Sequence, residues 1–311
     1  VTSRLARIGA AVDVGSNSIH LLVAEVGRDG LVALADESVQ LGLGDVVDRE
    51  GHLPTQSRDA VVRALETYAR KAAELGATTV TLLGTEPLRR ASNRSVIQAD
   101  VLRATGHPLQ LLSHDAEAQL TLFGVTGGRR PDAPLLVVDV GGGSTEVIVA
   151  VPGSRPVVGA LPTGSSRLTS LLVSHDPPTW FEINALRVEA GRLMEDLPKV
   201  AAERAVAVGG SATNLGRVAA EPSDPTGLGR DQLERTFAVL ASRTAAEISA
   251  RYRVSLRRAA QLAAGAALLD AVLARYGIAH LDISDASLRE GAVIAAAGGA
   301  DWLERLPDLL A

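Results

Sequence analysis

The chain carries one stretch twice. Residues 12–26 read V-D-V-G-S-N-S-I-H-L-L-V-A-E-V and residues 138–152 read V-D-V-G-G-G-S-T-E-V-I-V-A-V-P, identical at 7 of 15 positions with an offset of 126 residues. Each copy is an apolar run, an Asp, a turn of small residues bearing a hydroxyl, and a second apolar run. The pattern predicts a strand, a tight loop and a returning strand. An internal repeat has to be recognised before individual elements are assigned, because it sets the architecture. Two such halves facing each other would bring two Asp residues and two loops rich in backbone N–H to one cleft, an environment suited to phosphate groups and a divalent cation.

The repeat extends into the order of elements. The first half predicts strands near 7–14, 18–27 and 31–41, a helix at 56–75, a strand at 79–84, a helix at 93–105, a strand at 109–113 and a helix at 115–124. The second predicts strands near 134–140, 145–151 and 156–161, helices at 164–173 and 180–197, a strand at 205–209 and a helix at 211–219. After an insertion, a strand at 279–284 and a helix at 287–298 close it. Both read as mixed sheets flanked by helices, the α/β class. The Gly/Pro-rich stretch 124–134 marks the hinge. The expected domains are an N-terminal lobe, 1–125, and a C-terminal lobe, 126–311, with a helical insertion at about 220–276. Residues 221–229 are a second loop candidate.

Composition narrows the partners. The net charge of -5 argues against non-specific nucleic-acid binding, so a polyanionic ligand needs a local basic site. No Cys is present, which removes disulfides and thiolate chemistry. The opening residues run straight into the first strand, with no signal peptide expected. The most apolar stretch, Ala259–Ala274, is interrupted by Gln261 and Asp270 and is too short to cross a membrane. The expectation is a soluble cytoplasmic protein.

The second loop, Gly141, Gly142, Gly143, Ser144 and Thr145, offers backbone N–H groups and hydroxyls to an anion, and Asp139 and Glu146 are hard oxygen donors of the kind Mg²⁺ prefers. The first loop, Gly15, Ser16, Asn17 and Ser18, offers a similar cradle, and Asp13 mirrors Asp139. His20 stands where Glu146 stands in the other copy and reads as a packed strand residue. G-T-E-P-L-R-R-A-S-N, residues 84–93, follows a strand, so Thr85, Arg89 and Asn93 are candidates to reach the cleft, Arg89 with bidentate geometry. Glu117 lies in the first turn of the helix at 115–124, either as a site carboxylate or as a dipole-favoured surface group. Gly209, Gly210 and Ser211 form a strand-to-helix turn that could receive a phosphate or serve close packing. His175-Asp176 stands alone and reads as no metal site. Of Arg89, Arg90, Arg94, Arg129, Arg130, Arg257 and Arg258, two or three are expected to guide an anionic tail.

Taken together, D-V-G-S-N-S, G-T-E-P-L-R-R-A-S-N, D-A-E-A-Q-L-T-L-F-G-V, D-V-G-G-G-S-T-E and S-L-R-E-G-A-V-I (287–294) resemble the exopolyphosphatase / guanosine pentaphosphate phosphatase family, in order and across essentially the whole chain. The resemblance implies the short, two-domain type of the actin–hexokinase–Hsp70 superfamily. That fold has two duplicated ribonuclease-H-like (actin-like ATPase) lobes with the active site in the interlobe cleft. It further implies removal of the terminal phosphate from inorganic polyphosphate or pppGpp with Mg²⁺, or Mn²⁺, and a homodimer. Carried over by position, Glu117 matches the catalytic Glu, and Arg89, also read as catalytic, matches the family's T-x-x-L-R-x-x-x-N segment. Gly15–Ser18, Asn93, Gly141–Thr145 and Gly209–Ser211 match phosphate-binding segments, and Asp139, Glu146 and Asp13 the metal positions. Pro87 and the residues at 223–229 depart from the family pattern, and the His-Gly pair that many members carry in that loop is absent.

Two rival readings remain open on the sequence. A phosphotransferase of the same superfamily would need an acceptor site, and no acceptor-binding insertion is visible. A non-catalytic polyphosphate or alarmone sensor would have no need of Glu117, Asp139 and Glu146 together.

Overall fold

The computed structural model describes residues 7–27, 30–220, 227–299 and 301–310. The chain divides into two compact units, one taking in residues up to Arg130 together with Ala286–Leu310, the other Pro131–Asp285.

The first unit begins with β1 (Arg7–Val14), β2 (Ser18–Gly27) and β3 (Gly30–Gln40), followed by α1 (Leu43–Glu50) and α2 (Thr55–Glu74). Then come β4 (Thr79–Gly84), α3 (Glu86–Arg90), α4 (Arg94–Thr105), β5 (Leu109–Leu111) and α5 (His114–Val125). The sheet order is β3-β2-β1-β4-β5. β1 pairs antiparallel with β2 and parallel with β4. α2 forms because Val61, Leu65, Tyr68 and Ala72 recur on one helical face, and that face is buried.

The second unit repeats the plan. It contains β6 (Leu135–Val140), β7 (Thr145–Ala150), β8 (Val157–Leu161), α6 (Ser165–Leu172), α7 (Trp180–Met194), β9 (Arg204–Val208) and α8 (Gly209–Ala219). After it follow β10 (Gly227–Gly229), α9 (Arg230–Ser242), α10 (Ala245–Tyr252), α11 (Leu256–Tyr276) and β11 (His280–Ile283). Its order, β10-β11-β9-β6-β7-β8, reproduces the first sheet and adds β10 at one edge. Of the loop expected at 221–229, residues 221–226 lie outside the described residues and 227–229 are this edge strand. The expected apolar stretch is α11, a core helix hydrophobic almost all round and therefore buried on nearly every face. Gln261, one of its polar breaks, donates to Ser166 (3.0 Å), and the other, Asp270, pairs with Arg187 (3.2 Å). Among the described residues no helix is long and apolar enough to cross a membrane.

The expected C-terminal boundary does not hold. α12 (Leu288–Ala296) and α13 (Trp302–Leu310) belong to the first unit. α12 crosses α5 at backbone contact, and two glycines permit it: a Cβ on Gly291 would lie 1.9 Å from the Leu120 carbonyl oxygen, and one on Gly124 would lie 2.0 Å from that of Ser287. Arg289 then anchors α12 to the sheet, donating to Asp36 (2.6 Å) and to the Leu21 carbonyl (3.3 Å).

His175 and Asp176 both make bonds within the second unit. Asp176 accepts from the Ala245 N–H (2.7 Å), and His175 bonds Glu182 (2.9 Å). Glu182 closes the capping box of α7 with Thr179. Burial pushes the Glu182 carboxyl up, but bonds from His175, the Ser174 and Thr179 N–H groups and the Thr179 hydroxyl together outweigh it and hold it at about 2. A depressed folded pKa contributes stability above the ordinary carboxylate range that disappears as pH falls toward 2. Glu182→Ala is expected to cost about 2 kcal/mol at neutral pH, as for a lost helix cap. The difference from wild type should shrink between the ordinary glutamate pKa and pH 2. Urea unfolding of both proteins across that range checks it; a pH-independent difference would contradict the assignment.

Candidate active site

In the first unit, the turn between β1 and β2 is held from inside. Gly15 N–H donates to the Ser18 carbonyl (3.0 Å), the N–H groups of Leu41 and Gly42 converge on the Asn17 carbonyl, and Gly44 N–H meets that of Ser16 (2.9 Å). The loop's carbonyls are thus engaged by the protein. Its hydroxyls are too: Ser16 donates to Glu86 (3.0 Å), and Ser18 bonds His20 (2.6 Å). Glu86 is buried and holds Arg90 (2.7 Å), which also pairs with Asp48 (2.5 Å). Glu86 therefore fixes the loop serine. The sequence pattern did not single it out, since its partner lies 70 residues away.

Arg89 and Glu117 meet. β4 ends at Gly84, the short α3 carries Arg89, and Ser113 caps α5 by accepting from Ala116 N–H (3.1 Å), which sets Glu117 in the first turn. Arg89 Nη1 lies 2.6 Å from Glu117 Oε2 and 2.8 Å from the Leu112 carbonyl, and its Nη2 faces His114 (3.0 Å). Burial first, then the Arg89 charge, lowers the His114 pKa, so a neutral ring faces the guanidinium. Glu117 is buried, which removes the solvated-surface reading. Asn93 ties its amide to the backbone of Leu53, accepting from the N–H (3.1 Å) and donating to the carbonyl (2.8 Å). Asp13 lies in register with His20, and its charge acts on Arg289.

In the second unit the same turn recurs at the offset. Gly141 N–H donates to the Ser144 carbonyl (3.0 Å). The first N–H groups of α6, from Ser165 and Ser166, meet the carbonyls of Gly141 and Gly142 (both 2.9 Å), and Arg167 reaches that of Gly143 (2.9 Å). Thr145 donates its hydroxyl to the Thr163 carbonyl (2.9 Å), and Ser211, fully buried, turns toward Ser165 (3.4 Å). The hydroxyls of Ser16, Ser18, Thr145 and Ser211, expected at the phosphate, all have protein partners. What these loops offer an anion is chiefly backbone N–H.

Asp139 and Glu146 stand directly opposite each other on β6 and β7, so their side chains share one face of the sheet. Two facing carboxylates repel unless a cation or a proton intervenes. Asp139 keeps a path to solvent, yet protein crowds it on most sides. Burial raises its pKa to about 6, and the Arg258 charge opposes the rise. Gly209, at φ 79, brings the start of α8 against it: a Cβ there would lie 2.5 Å from Asp139 Oδ1. A Cβ on Gly210 would lie 2.5 Å from Arg258 Nη2, so the guanidinium lies flat on this turn. Burial lowers the Arg258 pKa, and Asp139 counters it. The turn at 209–210 thus packs against Asp139 and Arg258. The donor set fits a hard divalent ion: two carboxylates on one face, with no softer ligand among them.

Residues 22–298 match the Ppx/GppA phosphatase family. The chain belongs to that family. It is 28% identical over 306 residues to "Exopolyphosphatase 1" of Mycobacterium leprae, covering 93% of this chain and 88% of the relative. It is 34% identical over 226 residues to "Exopolyphosphatase 2" of Mycobacterium tuberculosis, covering 68% and 70%. The crystal structure of the Aquifex aeolicus family member superposes with a TM-score of 0.80 at 27% identity, covering 94% of this chain and 98% of that one. An exopolyphosphatase from Cytophaga hutchinsonii, at 20% identity and a TM-score of 0.81, shares the fold. The duplicated sheets are therefore those of the actin-like fold, and the chain is a phosphatase of the Ppx/GppA family.

Proposed function

We propose that this Ppx/GppA phosphatase is an exopolyphosphatase that releases orthophosphate from the end of inorganic polyphosphate, with Glu117 activating the attacking water. The observation that carries the reading is the buried Arg89–Glu117 pair at 2.6 Å. A carboxylate held in a first helical turn by an arginine is oriented for proton transfer, and the arginine is a ready phosphate ligand. The relatives named exopolyphosphatase support the substrate class.

Transfer of a phosphoryl group to water needs little covalent help and much positioning. Each glycine-bearing turn offers backbone N–H groups of the kind that hold phosphate oxygens. Incoming phosphate competes with Glu117 for the Arg89 guanidinium, which leaves the carboxylate to take a proton from water. Asp139 and Glu146 would hold the divalent ion, Mg²⁺ or Mn²⁺, with Asp13 facing the first turn. Such an ion, when bound, offsets charge on the transferring oxygens. The Arg258 charge favours the ionised form of Asp139.

Phosphate release from short polyphosphate, long polyphosphate and pppGpp, compared with and without Mg²⁺, tests this. The expected order places polyphosphate first and requires the metal. Preference for pppGpp would make the enzyme an alarmone phosphohydrolase, and tight binding without release from any of the three would make it a sensor.

A further inference from the structure

Behind the first turn lies a buried carboxylate that the phosphate chemistry above does not use. Glu86 opens α3, and both of its oxygens are engaged: Oε2 accepts from the Ser16 hydroxyl (3.0 Å) and Oε1 from Arg90 (2.7 Å). Desolvation offsets much of what such bonds return, so a buried acid of this kind adds little net stability. What it fixes is geometry.

The geometry in question is that of the turn relative to α3. One residue earlier, the Thr85 N–H and hydroxyl both donate to the Val14 carbonyl (3.2 and 3.0 Å). Two straps, Val14–Thr85 and Ser16–Glu86, therefore tie the turn to this five-residue helix. The same helix carries Arg89, whose N–H closes on the Thr85 carbonyl (3.0 Å). On the other side, Arg90 pairs with Asp48 of α1, and the Gly44 N–H of α1 holds the Ser16 carbonyl (2.9 Å). Ser16 is thus gripped by α3 through its hydroxyl and by α1 through its backbone. That hydroxyl has one proton and gives it to Glu86, so it presents only lone pairs to anything else. It braces the turn. We propose that Glu86 is a positioning residue for phosphate capture: through Ser16 it locks the first turn to the helix that presents Arg89, so that the N–H groups of the turn and the guanidinium keep one spacing. This role rests on the reading of the turn and of Arg89 as phosphate ligands.

Phosphate release from polyphosphate, together with calorimetric binding of inorganic tripolyphosphate to the same preparations, tests this. Glu86→Ala should raise KM about tenfold, the scale of a hydrogen bond to a charged group. It should also lower kcat, as Arg89 loses its spacing from the turn. Ser16→Ala, which leaves Glu86, Arg90 and Asp48 in place, should raise KM to a similar extent, and the double substitution should be no worse than Glu86→Ala. Glu86→Gln should restore most of the loss, because its amide oxygen takes Arg90 and its NH₂ takes the Ser16 oxygen. A carboxylate that served only stability would lower the melting temperature on removal and leave KM unchanged. Should Glu86→Ala fail to fold, a raised KM in Ser16→Ala beside a KM near wild type in Glu86→Gln still supports the role. A fall in KM in Glu86→Ala would mean that Ser16, once released, donates to phosphate, and would overturn it; so would an unchanged KM in both alanine variants. Wild type that binds tripolyphosphate but releases no phosphate overturns the exopolyphosphatase reading alone, and the order of dissociation constants among the same variants then decides Glu86. Wild type that neither binds nor releases removes both.

Discussion

Glu117→Gln is expected to fold, bind polyphosphate and lose most of its turnover. The loss should be about 10²- to 10⁴-fold in kcat, the usual contribution of a positioned general base. Binding should not weaken. In the wild type Arg89 is committed to Glu117 at 2.6 Å, and a neutral amide releases part of that hold. The guanidinium is then freer for phosphate, so KM should fall or stay level while kcat collapses. This split separates the base from a merely structural carboxylate, whose removal would raise KM or lower the melting temperature. Steady-state kinetics and a thermal melt of the same preparation decide it. Wild-type kcat in the variant would end the assignment of Glu117 as the base.

The parts of this site that could be read from the sequence are those the backbone writes locally. The two V-D-V-G stretches gave two strand–turn–strand units because both turns need the same small residues. Asp139 and Glu146 were legible as two acids flanking the second turn, and their facing register appears only in the fold. What stayed hidden depends on contacts remote in the chain. Glu86 matters only because β1 and β4 lie side by side and bring Ser16 to it. Arg258 was one of seven arginines considered for an anionic tail, and only the turn at Gly209–Gly210 shows it lying beside the surroundings of Asp139. Asn93 matched a phosphate-binding pattern, yet its amide satisfies the backbone of Leu53, 40 residues earlier. The return of α12 to the first unit depends on Gly124 and Gly291 meeting, and neither glycine marks a turn that local reasoning would notice.

Asp139→Asn carries the other large effect, and its cause is the facing carboxylates. A strand pair that sets two acids directly opposite each other is destabilised by their repulsion, and a divalent cation converts that repulsion into ligation. Asparagine keeps the shape, and with it the packing against Gly209, but removes one negative charge. Turnover at saturating Mg²⁺ is expected to fall by about 10²-fold or more, the scale seen when a preorganised electrostatic group is removed. A second readout does not depend on activity. Mg²⁺ at about 100 times its dissociation constant stabilises a protein that binds it only when folded by about 2.7 kcal/mol. For a unit of this size that corresponds to a rise in Tm of about 5–10 °C. The rise should appear in wild type and be largely lost in Asp139→Asn, and Glu146→Gln should lose it as well. Asp115→Asn, an acid near the N-terminus of α5 in the other unit, should keep it. Equal Mg²⁺-induced shifts in all four proteins would place the ion elsewhere and leave Asp139 as a partner of Arg258 alone.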